Sequence, residues 1–251
     1  MIDILTLKPL RNNLNILFRS LFVLVKLQVN GRDIWEQCYE FGNKTFNIVA
    51  LCVTFMGIIL ITEYSFHMKL VIGNDSMIPA FAMIMLAREL APIVTALLIT
   101  SKMGASVAAE LSAMKNTEQI DAYRLLGLNI VDLFVAPRLV ASIVANVCLS
   151  LIALAIAVIG AWGSAVYFLD FDTGPFFHSL TVFLSTSDFL LMSTKSFFFG
   201  MTIPIISAYC GLNARHGAEG VGEATTNAVV GNSITIIIID FIITYAFTQL
   251  G

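Results

Sequence analysis

The chain has 251 residues, of which 58% are hydrophobic and 12% charged, with a mean hydropathy of +0.87. Soluble domains carry about 25% charged residues, so this composition excludes an ordinary water-soluble protein and points to an all-α polytopic membrane protein. The formal net charge of -3 selects no partner class, and no nucleic-acid partner is expected.

In chain order, the first element is an amphipathic N-terminal segment. Arg19 and Lys26 interrupt its only apolar stretch, and no small-residue cleavage pattern follows, so it is not a signal peptide. At helical spacing Arg11, Asn15, Arg19 and Lys26 share one side, and Leu14, Phe18, Leu21 and Val25 make an adjoining apolar stripe. That pattern predicts an interfacial helix within residues 1–45. Residues 46–251 then form the transmembrane core of a single membrane domain. Five stretches approach or exceed the roughly 20 residues that a hydrocarbon core requires. They are Phe46 to Phe66, Met77 to Thr100, Leu139 to Phe168, Phe189 to Leu212, and Ala228 to Phe247.

Lys and Arg placement orients them. Lys8, Arg11, Arg19, Lys26, Arg32 and Lys44 precede the first span, Lys102, Lys115, Arg124 and Arg138 lie between the second and third, and Arg215 lies between the fourth and fifth. The alternate connections hold only Lys69. Basic residues favour the cytoplasmic side, so the N-terminus is predicted inside and the C-terminus outside.

The longest inside connection contains "NTEQIDAYRLLGLN". Thr117 as N-cap, Glu118 and Asp121 in the first turn, Arg124 late and Gly127 as a stop predict a short cytoplasmic helix near 117–127. Glu118, Asp121 and Arg124 form a polar stripe; Ile120, Tyr123 and Leu126 form an apolar one. Spacing alone leaves two readings open, a docking element or a helix lying on headgroups.

Four ionisable residues fall within the spans: Arg88 and Glu89 on the second, Lys195 on the fourth and Asp240 on the fifth. Each costs roughly 2.5–3.5 kcal/mol to insert, so each is expected to face a partner or a wet cavity. Pro92 has no N–H to give the carbonyl of Arg88, which marks a bend beside the charged pair. The expected ties are Glu89 with Lys195 and Arg88 with Asp240, or the swapped arrangement. They either fix helix register or line a substrate pathway.

Dispersed Cys38, Cys52, Cys148 and Cys210 and unclustered His67, His178 and His216 indicate no metal site, and no cofactor is expected. There is no GxxxxGK[ST] motif, and "GAEGVG" at Gly217 to Gly222 reads as a turn into the fifth span.

The stretches "RELAPIVTALLITSKMGASVAAELSAMKNTEQIDAYRLLGL", "APRLVA" and "GAEGVGEATTNAVVGNSITIIIIDFIITYAF" resemble the MlaE or YrbE permeases, the membrane subunits of ABC transporters that move phospholipid or related lipids with MCE-domain proteins. Departures are Ala91, where the family commonly has Gly, Ser101 and Lys102 in place of Gly-Arg, and Glu223 in place of Arg. The resemblance implies a homodimer in the bacterial inner membrane, a separate cytoplasmic ATPase, and an MCE protein on the outer face. ATP hydrolysis would belong to the partner chain, and this chain would have no catalytic residues. Glu118, Gln119, Asp121, Tyr123 and Arg124 would couple to the ATPase, and Arg88, Glu89, Lys195 and Asp240 would line the lipid pathway, with Asp240 the most structural. Gly104, Ala105, Ala108, Ala109, Gly160 and Ser164 would permit close helix contacts, between subunits or within one. From the residues alone, an ion-coupled secondary carrier remains an alternative, since buried carboxylates can relay protons. A membrane scaffold is a third reading.

Overall fold

The computed structural model describes residues 31–71 and 78–250. The expected interfacial helix over residues 1–30 lies outside them. Residues 31–45 do not form a separate segment: they open the same unbroken helix, α1 (Gly31–Val71), that contains the first span. At 1.5 Å per residue its 41 residues extend about 60 Å, twice the hydrocarbon thickness.

The second span is interrupted rather than straight. It runs as α2 (Ile78–Met85), a π-helical turn at Leu86–Leu90, α3 (Ala91–Ile99), a second π turn at Thr100–Gly104, and α4 (Ala105–Asn116). After the short helix α5 (Gln119–Leu125), a third π turn at Val131–Val135 leads into α6 (Ala136–Leu169). Then come α7 (Thr173–Phe183), α8 (Thr186–Leu212) and α9 (Ala218–Leu250). Among the described residues, five helical segments are long and apolar enough to cross a membrane, and each contains or nearly contains one expected span. Helix α7, too short to span, was not anticipated; it packs against α2.

The chain folds as two compact units. Among the described residues, one comprises residues 31–45, Ala96–Asn146 and Phe197–Ile239; the other comprises residues 46–71, 78–95, Val147–Ser196 and residues 240–250. Lipid supplies no hydrophobic drive between helices, so close approach depends on small residues. In the second unit a Cβ on Gly57 would collide with the carbonyl of Ala157, and one on Gly160 would lie 2.9 Å from the carbonyl oxygen of Thr54, so α1 and α6 touch backbone to backbone. In the first unit Gly200 meets Ile143, and Gly211 meets Ala108 and Leu111. Gly160 and Ala108 therefore serve packing inside one chain. Ala108, Ile206, Cys210 and Ala228 form a buried cluster there, with Tyr209 against it.

Candidate functional site: a buried ion cluster and an exposed short helix

The second unit holds the ionisable residues of the spans. Arg88 and Glu89 lie on the π turn, where the N–H of Ala91 reaches back five residues to the carbonyl of Leu86. Such wide turns recur at functional sites and change the direction of the side chains they carry. Lys195, on α8, is fully buried. Its Nζ donates to Glu89 Oε2 at 2.6 Å and to the backbone carbonyl of Arg88 at 2.9 Å, and lies 2.7 Å from Asp240 Oδ1. Three oxygens thus surround an ammonium group with three N–H bonds. The carbonyl is the one that Pro92 leaves without its α-helical donor. Thr244, one turn beyond Asp240 on α9, donates to the other oxygen of Glu89 at 3.1 Å.

The tie expected between Glu89 and Lys195 is present, whereas the one between Arg88 and Asp240 is not. Asp240 joins Lys195, and Arg88 Nε donates to Asp188 Oδ1 at 2.5 Å. Asp188 also accepts from the backbone N–H of Ser185 at 2.8 Å and from its hydroxyl at 3.0 Å, capping the N-terminus of α8. A lysine with three donors can serve two carboxylates, which frees Arg88 for a third. Two positive and three negative groups leave a formal charge of minus one.

Exposure divides these groups. The side chains of Lys195, Asp188, Asp240 and Glu89 are 0%, 1%, 14% and 25% exposed, and that of Arg88 is 43% exposed. Lys195 is enclosed by its acceptors and has no open face for a ligand. Arg88 commits its Nε to Asp188, and its side chain is the most exposed of the five. Asp188 and Thr244 were not singled out from the sequence. Ser185-x-x-Asp188 is a legible capping pattern, and Thr244 follows Asp240 at one-turn spacing.

The first unit holds the connection between the second and third spans. Helix α5 forms within the predicted region, but Thr117 is not its cap. The Thr117 hydroxyl turns back to the carbonyl of Ala113 at 3.0 Å, and Glu118 takes a left-handed conformation at φ 59, ending α4 and starting α5. Glu118 therefore precedes the first turn. Gly127, at φ 75, closes α5: its N–H reaches Arg124 O, and that of Leu128 reaches Tyr123 O. Asp121 and Arg124 pair at 3.2 Å on the exposed side, and Glu118 and Gln119 are also exposed. Ile120 is buried, and Tyr123 meets Phe134 edge to face at 5.6 Å. Leu126 does not join that apolar stripe inward; it is 74% exposed beside Leu125 at 90%. Below the helix Arg138 Nη2 donates to Glu110 Oε2 at 2.5 Å, joining the two ends of the connection.

The family model for the MlaE permease matches residues 34–246. A probable ABC transporter permease protein ycf63 of Pyropia yezoensis is 34% identical over 238 residues, covering 95% of this chain and 90% of its own length. A probable ABC transporter permease protein of Rickettsia bellii is 36% identical over 215 residues, covering 85% and 82%. The chloroplastic protein TRIGALACTOSYLDIACYLGLYCEROL 1 of Arabidopsis thaliana is 30% identical over 228 residues, 90% of this chain and 64% of that protein. With five apolar helices, and a family match and relatives that span most of its length, the chain belongs to the MlaE permease family as a multi-pass membrane protein.

Proposed function

We propose that this chain is the membrane subunit of an ABC transporter that carries phospholipid or a related lipid between the bacterial inner membrane and an MCE-domain partner. It acts as a homodimer driven by a separate cytoplasmic ATPase. The observation that carries the cargo assignment is the contrast between Lys195 and Arg88. Lys195 is fully buried and paired with two carboxylates, and it ties α8 to the second span and α9. The Arg88 side chain is 43% exposed, and its guanidinium is the planar donor group suited to a phosphate. Of the four residues expected to line the pathway, Arg88 is the one assigned to the headgroup, with Lys195, Glu89 and Asp240 holding the frame. The Arabidopsis relative, named for a diacylglycerol lipid, agrees with a lipid cargo.

Helix α5 suits the ATPase contact because its exposed side combines the Asp121–Arg124 pair with Leu125 and Leu126. A second copy suits the fifth span, where Ile237, Phe241 and Tyr245 form an exposed stripe at helical spacing. An ion-coupled carrier fits less well, since Lys195 already occupies Glu89 and Asp240. The test is to reconstitute the chain with its co-expressed ATPase in liposomes and follow phospholipid transfer with and without ATP. Transfer that requires ATP and both chains supports the reading; transfer driven by an ion gradient in the chain alone refutes it.

A further inference from the structure

The last two residues of α4 spend their side chains on the turn before α9. Lys115 Nζ donates to the carbonyl of Ala214 at 2.7 Å. Asn116 grips the backbone of Gly217 on both sides: Nδ2 donates to its carbonyl at 3.2 Å, and Oδ1 accepts its N–H at 3.1 Å. Gly217 is the residue immediately before α9, and its carbonyl also accepts the N–H of Val221, the first helical bond of α9. It stands at φ +96, a conformation open to glycine and strained for other residues, so the turn has a natural swivel there.

This arrangement differs from a single tether. One hydrogen bond limits distance, whereas a paired donor and acceptor also fix the orientation of the gripped peptide. The residue after Asn116 is Thr117, and Glu118 ends α4 at once, so Asn116 lies at the root of α5. On its other side the gripped peptide opens α9, which continues unbroken to the residues that hold the ion cluster, Asp240 and Thr244.

We propose that Asn116 is a positioning residue for coupling, a clip that turns displacement of α5 by the ATPase into movement of α9. This inference rests on the proposed docking of the ATPase at α5. A merely structural residue would lower assembly, ATP hydrolysis and transport together. The clip predicts a split between them.

The test uses the complex of permease and ATPase in liposomes carrying a fluorescent phospholipid. With Asn116→Ala, co-purification and ATP hydrolysis persist, while lipid moved per ATP falls at least about fivefold, the low end of ordinary coupling between sites. Asn116→Asp keeps the acceptor for Gly217 N–H and loses the donor, so it lies between. An unchanged ratio, or a parallel loss of assembly and hydrolysis, overturns the proposal. If the wild-type complex hydrolyses ATP yet moves no phospholipid, the cargo reading fails alone. The clip is then decided by a Thr248→Cys probe on α9, in a chain without native cysteines. An ATP-dependent change in its thiol reactivity that Asn116→Ala abolishes supports the clip, and one that survives overturns it. A chain that binds no ATPase overturns both.

Discussion

Lys195 donates to the backbone carbonyl of Arg88 at 2.9 Å, supplying from another helix the hydrogen bond that Pro92 cannot. The same ammonium holds Glu89 and Asp240, so one side chain stabilises both the irregular backbone of the second span and the carboxylates beside it. Replacing it by methionine keeps the length and removes the charge. Removing one partner of a buried ion pair costs about 3–5 kcal/mol. Lys195→Met is therefore expected to lower the yield of inserted protein and its midpoint in a thermal unfolding assay in detergent. An unchanged midpoint would show that the cluster adds nothing to stability.

Exchanging the charges of Glu89 and Lys195 separates a two-residue tie from the three-oxygen nest. In a simple pair the double variant would recover. Here a carboxylate at position 195 would face Asp240 and the Arg88 carbonyl, three acceptors crowded with a single lysine to serve them. Glu89→Lys with Lys195→Glu is expected to remain as unstable as either single change. Recovery of folded protein on size-exclusion chromatography would contradict the geometry.

Arg88→Lys keeps a positive charge for Asp188 but loses the planar fork. The protein is expected to fold normally and to transport a phosphate-bearing lipid about tenfold more slowly, equivalent to about 1.4 kcal/mol. A rate equal to wild type would remove Arg88 from the headgroup contact.

The five spans were legible because a run of about 20 apolar residues matches the thickness of a hydrocarbon core and little else in a protein. That the charges within the spans meet partners followed from the cost of leaving any of them alone, but that cost left open which charge meets which. What was not legible was azimuth. The π turn at Leu86–Leu90 alters where Arg88 and Glu89 point, and no hydropathy pattern announces such a turn. Assigning one partner to each charge also hid the capacity of Lys195 for two carboxylates. Asp188 stands at the end of its helix, where charge is ordinary, although Ser185-x-x-Asp188 marks the cap. At α5, Thr117 was a reasonable cap by residue type. Its hydroxyl instead closes the preceding helix, and the left-handed Glu118 makes a junction that side-chain preference does not foretell.

If α5 docks the ATPase as proposed, reversing Glu118 and Asp121 to Lys is expected to weaken recovery of the ATPase by about tenfold, a change of about 1.4 kcal/mol, with the yield of inserted protein unaffected. Both residues are exposed, so the fold does not depend on them. Undiminished co-purification would move the ATPase contact elsewhere.

Orientation is tested with single cysteines in a chain lacking the native four. Gly174→Cys, placed in open space, is expected to react with an impermeant thiol reagent on intact cells, and Ala122→Cys on α5 only after permeabilisation. The reverse pattern would invert the topology.

The most direct measurement of the central claim is ATP-dependent transfer of phospholipid by the reconstituted complex, comparing wild type with Arg88→Lys at equal ATP hydrolysis. Transfer is expected to require ATP and to fall about tenfold in the variant while hydrolysis holds, the signature of a lost headgroup contact. ATP hydrolysis without phospholipid transfer in the wild type, or equal transfer by both proteins, would contradict it.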